Sequence, residues 1–129
     1  LSIELDDRTD PAGVGQVIVY EACIENRSLT ALKNIDVKVE STDEIVFESM
    51  ETRWEPGYLR IAKPGWRISP RYMQSEGIAE LPPNGRLKLT FSSRGNKSGD
   101  ARVSIRVTCE GKDDTWECTE YTIVNPRKD

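Results

Sequence analysis

Apolar and polar positions alternate along most of this chain. Between positions 17 and 25, Ile18, Tyr20, Ala22 and Ile24 take one phase, while Val17, Val19, Glu21, Cys23 and Glu25 take the other. After a polar corner at 26–28, Ile35, Val37 and Val39 alternate with Asp36, Lys38 and Glu40. A period of two is what a sheet with one buried face requires. The pattern returns with Leu87, Leu89 and Phe91 against Lys88, Thr90 and Ser92, and again with Val103, Ile105, Val107 and Cys109. A last strand is predicted over 116–124, with Trp116, Cys118, Thr122 and Val124 facing inward and Glu120 with them near an edge. The run 45–50 is short and apolar, suited to covering one edge.

Gly and Pro corners separate these pieces. Pro82-Pro83-Asn84-Gly85 closes one turn, and polar loops at 93–100 and 110–114 lead into the last two strands. Between 51 and 77 the alternation lapses into turns at Pro56-Gly57, Pro64-Gly65, Ser69-Pro70 and Glu76-Gly77. No segment holds a helical period with caps at both ends. The fold class expected is therefore all-β, an immunoglobulin-like antiparallel β-sandwich of about seven strands. One domain is expected over 1–125, with an aromatic and basic insertion at 51–77 and a charged tail at 126–129.

The order of several weak motifs resembles a known family. Asp10-Pro11, Val14-Gly15 and Tyr20 precede an Asn-containing corner and alternating valines. Farther on come Ile78-Ala79-Glu80-Leu81-Pro82-Pro83-Asn84-Gly85, then Gly99-Asp100-Ala101-Arg102-Val103, then Glu120-Tyr121-Thr122-Ile123-Val124. Together they resemble the repeat β-sandwich domain of unknown function found in bacterial and archaeal cell-envelope and surface proteins. The resemblance covers both ends of the chain and departs over 51–77. It implies an immunoglobulin-like module on the cell surface, a spacer or an adhesive unit, with no catalytic residues to carry over.

Composition narrows the chemistry. The 129 residues carry 22 acidic and 18 basic side chains, a net charge of −4, which disfavours nucleic acid as a partner. No apolar run is long enough to span a bilayer. A start at Leu1 is expected of a piece from a longer, exported protein. There is no histidine, so the commonest general base and the commonest metal ligand are both missing. Serine and cysteine nucleophiles would lack their usual base. Lys38 and Lys88 fall on outward phases, which argues against a buried lysine cross-link. An enzyme is not expected, and no cofactor is called for.

Three cysteines, Cys23, Cys109 and Cys118, offer no zinc spacing. Two readings remain, one disulfide with a spare thiol or three reduced cysteines; Cys109 and Cys118 share inward phases on neighbouring strands, which favours a Cys109–Cys118 disulfide, while Cys23 lies outward between Glu21 and Glu25. The pairs Asp6-Asp7 and Asp113-Asp114 are weak candidates for calcium, since no DxDxDG-type loop accompanies them. Asn26-Arg27-Ser28 and Asn96-Lys97-Ser98 match the glycosylation acceptor pattern in predicted loops.

The segment 51–77 is the sharpest candidate for binding. It carries +2 while the rest of the chain carries −6, and it holds two of the three tryptophans. Trp54, Tyr58, Trp66, Arg67, Arg71 and Tyr72 combine stacking faces with guanidinium forks, a mix that suits an anionic glycan or a partner protein. The competing expectation is a spacer that touches neighbouring domains or other envelope proteins. In that case the tryptophans cap the core and the arginines form a solvated rim. Burial of Trp54, Trp66 and Tyr72 separates the two.

Overall fold

The computed structural model describes residues 1–55, 65–111 and 115–126. The strands are β1 (Ser2–Asp7), β2 (Ala12–Gly13), β3 (Val17–Glu25), β4 (Leu32–Ser41), β5 (Ile45–Glu55), β6 (Trp66–Ser69), β7 (Tyr72–Ser75), β8 (Ile78–Leu81), β9 (Arg86–Gly95), β10 (Gly99–Thr108) and β11 (Trp116–Asn125). Seven of these are six residues or longer, and four short ones trim the edges. One sheet runs β1-β3-β9-β5 and the other β2-β11-β10-β4-β7-β6, with β8 also on β4. The fold is an immunoglobulin-like β-sandwich. No described helix is long and apolar enough to cross a membrane.

The alternating side chains meet between the sheets. Ile18, Tyr20, Ile24, Leu87, Leu89 and Phe91 come from one sheet, and Val37, Val39, Val103, Ile105 and Val107 from the other, all buried. Tyr20 and Phe91 stack at 5.1 Å between ring centroids, and Phe47 meets Phe91 edge-on at 5.8 Å.

β5 departs from plain alternation in a way that matters for the candidate site. Ile45 and Phe47 face inward, and a bulge then shifts the register against β9 between Phe47 and Ser49. One extra residue inverts the phase, so positions 50, 52 and 54 turn inward instead of 49, 51 and 53. The bulge is what puts Trp54 in the core and Arg53 in solvent.

Corners are closed by specific bonds. Asn26, fully buried, donates its Nδ2 to the carbonyls of Thr30 and Leu81 and accepts at Oδ1 from the Ser28 amide and hydroxyl. Its backbone exchanges bonds with Asn84 and Gly85 across the next corner. That burial removes Asn26 as a glycosylation acceptor, whereas Asn96 is exposed and bonds the Asp43 carbonyl.

At the opposite end, Gly95 bonds Gly15 and Gln16 through its backbone, and Val14 donates to the Asn125 carbonyl. A Cβ added to Gly95 would collide with the Gly13 carbonyl, which belongs to backbone and cannot swing aside. Gly95→Ala is therefore expected to cost about 1–3 kcal/mol in urea denaturation, the usual penalty of overpacking.

The first and last described strands meet opposite ends of the sandwich. Ser2 opens β1 beside Glu25, at the far end of β3, while β11 closes beside Ala12 and Gly99, at the end where β3 begins.

Candidate functional site

The residues singled out between 53 and 72 do not gather on one surface. Trp54 is buried at 5% exposure, and Trp66 is half-buried and packs against the core. Neither indole N–H has a partner among the described residues. On the β6–β7 hairpin, Trp66 stands opposite buried Ser75, while Arg67 stands opposite Gln74 and Ser69 opposite Tyr72. Trp66 thus takes the inward phase, and Arg67, Tyr72 and Gln74 take the outward one.

Tyr72 is half-buried on that outer face, where its hydroxyl donates to Gln74 and Lys38 Nζ sits 5.4 Å above its ring. Arg67 is exposed, and Arg71 reaches Asp43 at 3.8 Å from the turn. Tyr58 lies outside the described residues.

The expected Cys109–Cys118 disulfide is not formed. Both cysteines take inward phases, but the register forbids the bond: Cys118 stands opposite Ile105, not Cys109. Four residues of strand put Cys109 about 13 Å farther along, well beyond disulfide reach. Cys23 is half-buried on the outer face of the four-stranded sheet, and burial pushes its thiol above the ordinary value against the pull of Lys88 and Arg86.

A groove of about 650 Å³ crosses that same outer face, with Glu4, Asp6, Glu21, Arg53 and Lys88 among its lining. Its walls are charged and paired, Arg8 with Glu21 at 2.8 Å and Lys88 with Glu55 at 3.2 Å. Small-molecule sites are instead mostly apolar and enclosed. Lys38 and Lys88 both stay on outward phases, as read from the sequence.

The most organised polar chemistry lies elsewhere, where β1 crosses β11. Thr122, fully buried, donates to Asp7 Oδ2 at 2.7 Å. Its single proton is then used, so the Tyr20 hydroxyl donates to Thr122 Oγ1, also at 2.7 Å. The relay Tyr20–Thr122–Asp7 ties β3, β11 and β1 together across both sheets. Burial pushes Tyr20 up to about 12, so it remains a donor at any ordinary pH.

Around the relay, carboxylate oxygens of Asp6, Asp7 and Glu120 lie within 4.8 Å of one another. Asp7 is raised above its ordinary value by burial and then by Asp10 and Asp6, with the Thr122 bond opposing. Glu120 is raised by burial and then by Asp7, Asp6 and Asp10, with its bond to the Tyr121 amide opposing. Such a group of oxygens takes up protons readily and has the donor type that hard cations use. The sequence offered part of this: Glu120 stood out as an inward acid near an edge, and Asp6-Asp7 as adjacent acids. Nothing in the sequence said that they meet. Asp113-Asp114 lies outside the described residues.

No family model matches the chain, and no curated protein matches its sequence. Solved structures do resemble its fold. The pilus backbone protein of Streptococcus pneumoniae superposes with a TM-score of 0.63 at 13% identity, covering 87% of this chain and 53% of that one. The collagen-binding domain of a Staphylococcus aureus adhesin gives 0.59 at 8% identity, covering 91% and 95%. A CARDB domain of Pyrococcus furiosus, solved with di-metal ions, gives 0.60 at 17%, covering 95% and 90%. The chain spans about half the length of the pilus backbone chain, and less of the major pilin subunit of Bacillus cereus, where it covers 40%. The immunoglobulin-like sandwich implied by the resemblance is the fold observed.

Proposed function

We propose that this chain is a non-catalytic structural module, a rigid spacer in an exported, multi-domain protein of the cell envelope. The domain runs over 1–125, and its partners are neighbouring domains of its own protein or other envelope proteins. The observation that carries this is the burial of Trp54 with Trp66 packed on the core: both indoles are turned inward, and of the three aromatic side chains in question Tyr72 stays on the outer face. The likeness in fold to pilins and adhesins supports a surface role, and the charged, open groove supports the absence of catalysis.

A narrower observation favours a second reading, an adhesive surface for a glycan or protein. Arg67 and Arg71 are exposed on one hairpin beside Tyr72, which leaves a cationic edge available to an anionic partner.

Acrylamide quenching of Trp54→Phe and Trp66→Phe against wild type separates the two. The spacer requires that the emission each substitution removes be blue-shifted and poorly quenched. Red-shifted, readily quenched emission from either position would sink it and direct effort to binding screens.

A further inference from the structure

β11 is a ten-residue strand; among the described residues, strand pairing on its outer edge is confined to its end, where two-residue β2 lies beside Val124 and Asn125. Alternate amides of a strand point to the same edge. On β11 those are Glu117, Thr119, Tyr121 and Ile123. Two of them are occupied by side-chain carboxylates: Glu120 Oε1 accepts from the Tyr121 amide at 3.1 Å, and Asp10 Oδ1 from the Ile123 amide at 3.1 Å. No described strand pairs beside Glu117 and Thr119 on that side. Tyr121 and Ile123 are 59% and 51% exposed beside the same edge. An open edge of this kind is a template for another strand unless something blocks it.

The block is made of charge. Glu120 faces Asp6 and Asp7 on β1 and Asp10 on the link to β2, its charge is felt by Tyr20 on β3, and uncharged Val103 stands opposite it on β10. A second copy brought to this edge would double the number of carboxylates at the seam.

The edge is also self-complementary. In an antiparallel pair centred on Thr119, Glu117 lies opposite the partner's Tyr121 and Glu120 opposite the partner's Cys118, so no two acids oppose each other. That register needs the Tyr121 amide, which Glu120 now holds. The chain's net charge of −4 falls to zero near pH 5.0, removing the general repulsion between copies in the range where carboxylates take up protons.

We propose that the β11 edge is a carboxylate-gated seam through which two copies of this chain join in mild acid, antiparallel about Thr119, and separate near neutral pH. Glu120 is the gate: neutralised, it holds the Tyr121 amide less strongly against an incoming strand's carbonyl and no longer repels its neighbours. Burial, and after it the neighbouring carboxylates, raise Asp7 and Glu120 above their ordinary values, so both take up protons at a higher pH than free carboxylates do. This inference stands apart from the spacer proposal, since it requires only the edge and its guards.

Sedimentation equilibrium with a chelator present tests it. The expected mass is 14.6 kDa near neutral pH and twice that near the isoelectric point of 5.0. Glu120→Ala, which removes the gate, is expected to dimerise near neutral pH. Thr119→Pro removes an edge amide without touching the β10 ladder, and is expected to stay monomeric in acid. Thr119→Lys sets like charges on the axis and is expected to do the same if the proline variant folds poorly by circular dichroism. A wild type that stays monomeric near pH 5.0, or acid association that persists in both Thr119 variants, overturns the proposal.

Discussion

Trp54→Ala is expected to destabilise the protein by about 3–5 kcal/mol in urea denaturation, the cost of emptying a buried tryptophan site. The side chain is 5% exposed and sits at the end of the core on the stretch of β5 that the bulge turns inward. Trp54→Phe should recover most of that loss. It keeps an aromatic ring in the site and removes an indole N–H that has no partner among the described residues. A binding-shelf tryptophan would behave the other way, with stability nearly unchanged by either substitution. A loss below about 1 kcal/mol for the alanine variant would mean that Trp54 does not serve the core.

Thr122→Val is expected to cost about 2–3 kcal/mol near neutral pH, because it leaves the Tyr20 hydroxyl and the Asp7 carboxylate in a buried site without their shared partner. The cost should shrink in acid, as Asp7 is neutralised. The sign follows from linkage. Asp7 and Glu120 hold protons more tightly in the fold than their ordinary values of 3.8 and 4.5. As pH rises from those values, the unfolded chain loses these protons first, so the folded state binds more of them and stability declines until the folded groups also ionise. Their contribution is thus fully present below the ordinary values and lost on passing upward through the raised ones.

Asp43 and Glu55, held low chiefly by hydrogen bonds from Lys97 and Lys88, run the opposite way and lose their contribution as pH falls. Comparing wild type with Asp7→Asn and Glu120→Gln, at concentrations low enough that all three are monomeric, cancels that background. Wild type should lose more stability than either variant between mild acid and neutral pH, and equal slopes would refute the assignment.

Phase was legible in the sequence and register was not. The alternating positions of β3, β4, β9, β10 and β11 face as the pattern predicts, because a period of two leaves a strand only one way to bury its apolar set. The same rule says nothing about how far one strand slides along the next, and the misplaced Cys109–Cys118 bridge came from that gap. The bulge in β5 was illegible for a related reason. Before it odd positions are buried and after it even ones, so the sequence over 45–55 reads as a broken pattern although the strand is continuous. The tryptophans stood out by residue type, yet only the bulge decides that Trp54 points inward. The relay was half visible: Tyr20 and Thr122 sit on inward phases, and only the crossing of β1 over β11 joins them to Asp7.

The opposite ends at which the first and last described strands leave the sandwich determine how it meets tension. A pull on the two ends draws β1 along the axis of β3 and β11 along the axis of β10, each from the end where the strand begins or finishes. The hydrogen bonds of each ladder then share the load at once, rather than opening one at a time from a frayed edge. The Tyr20–Thr122–Asp7 relay lies across both loaded strands, so sliding either one must break it. Mechanical resistance is therefore built into the direction of the two terminal strands, whatever the protein is tethered to.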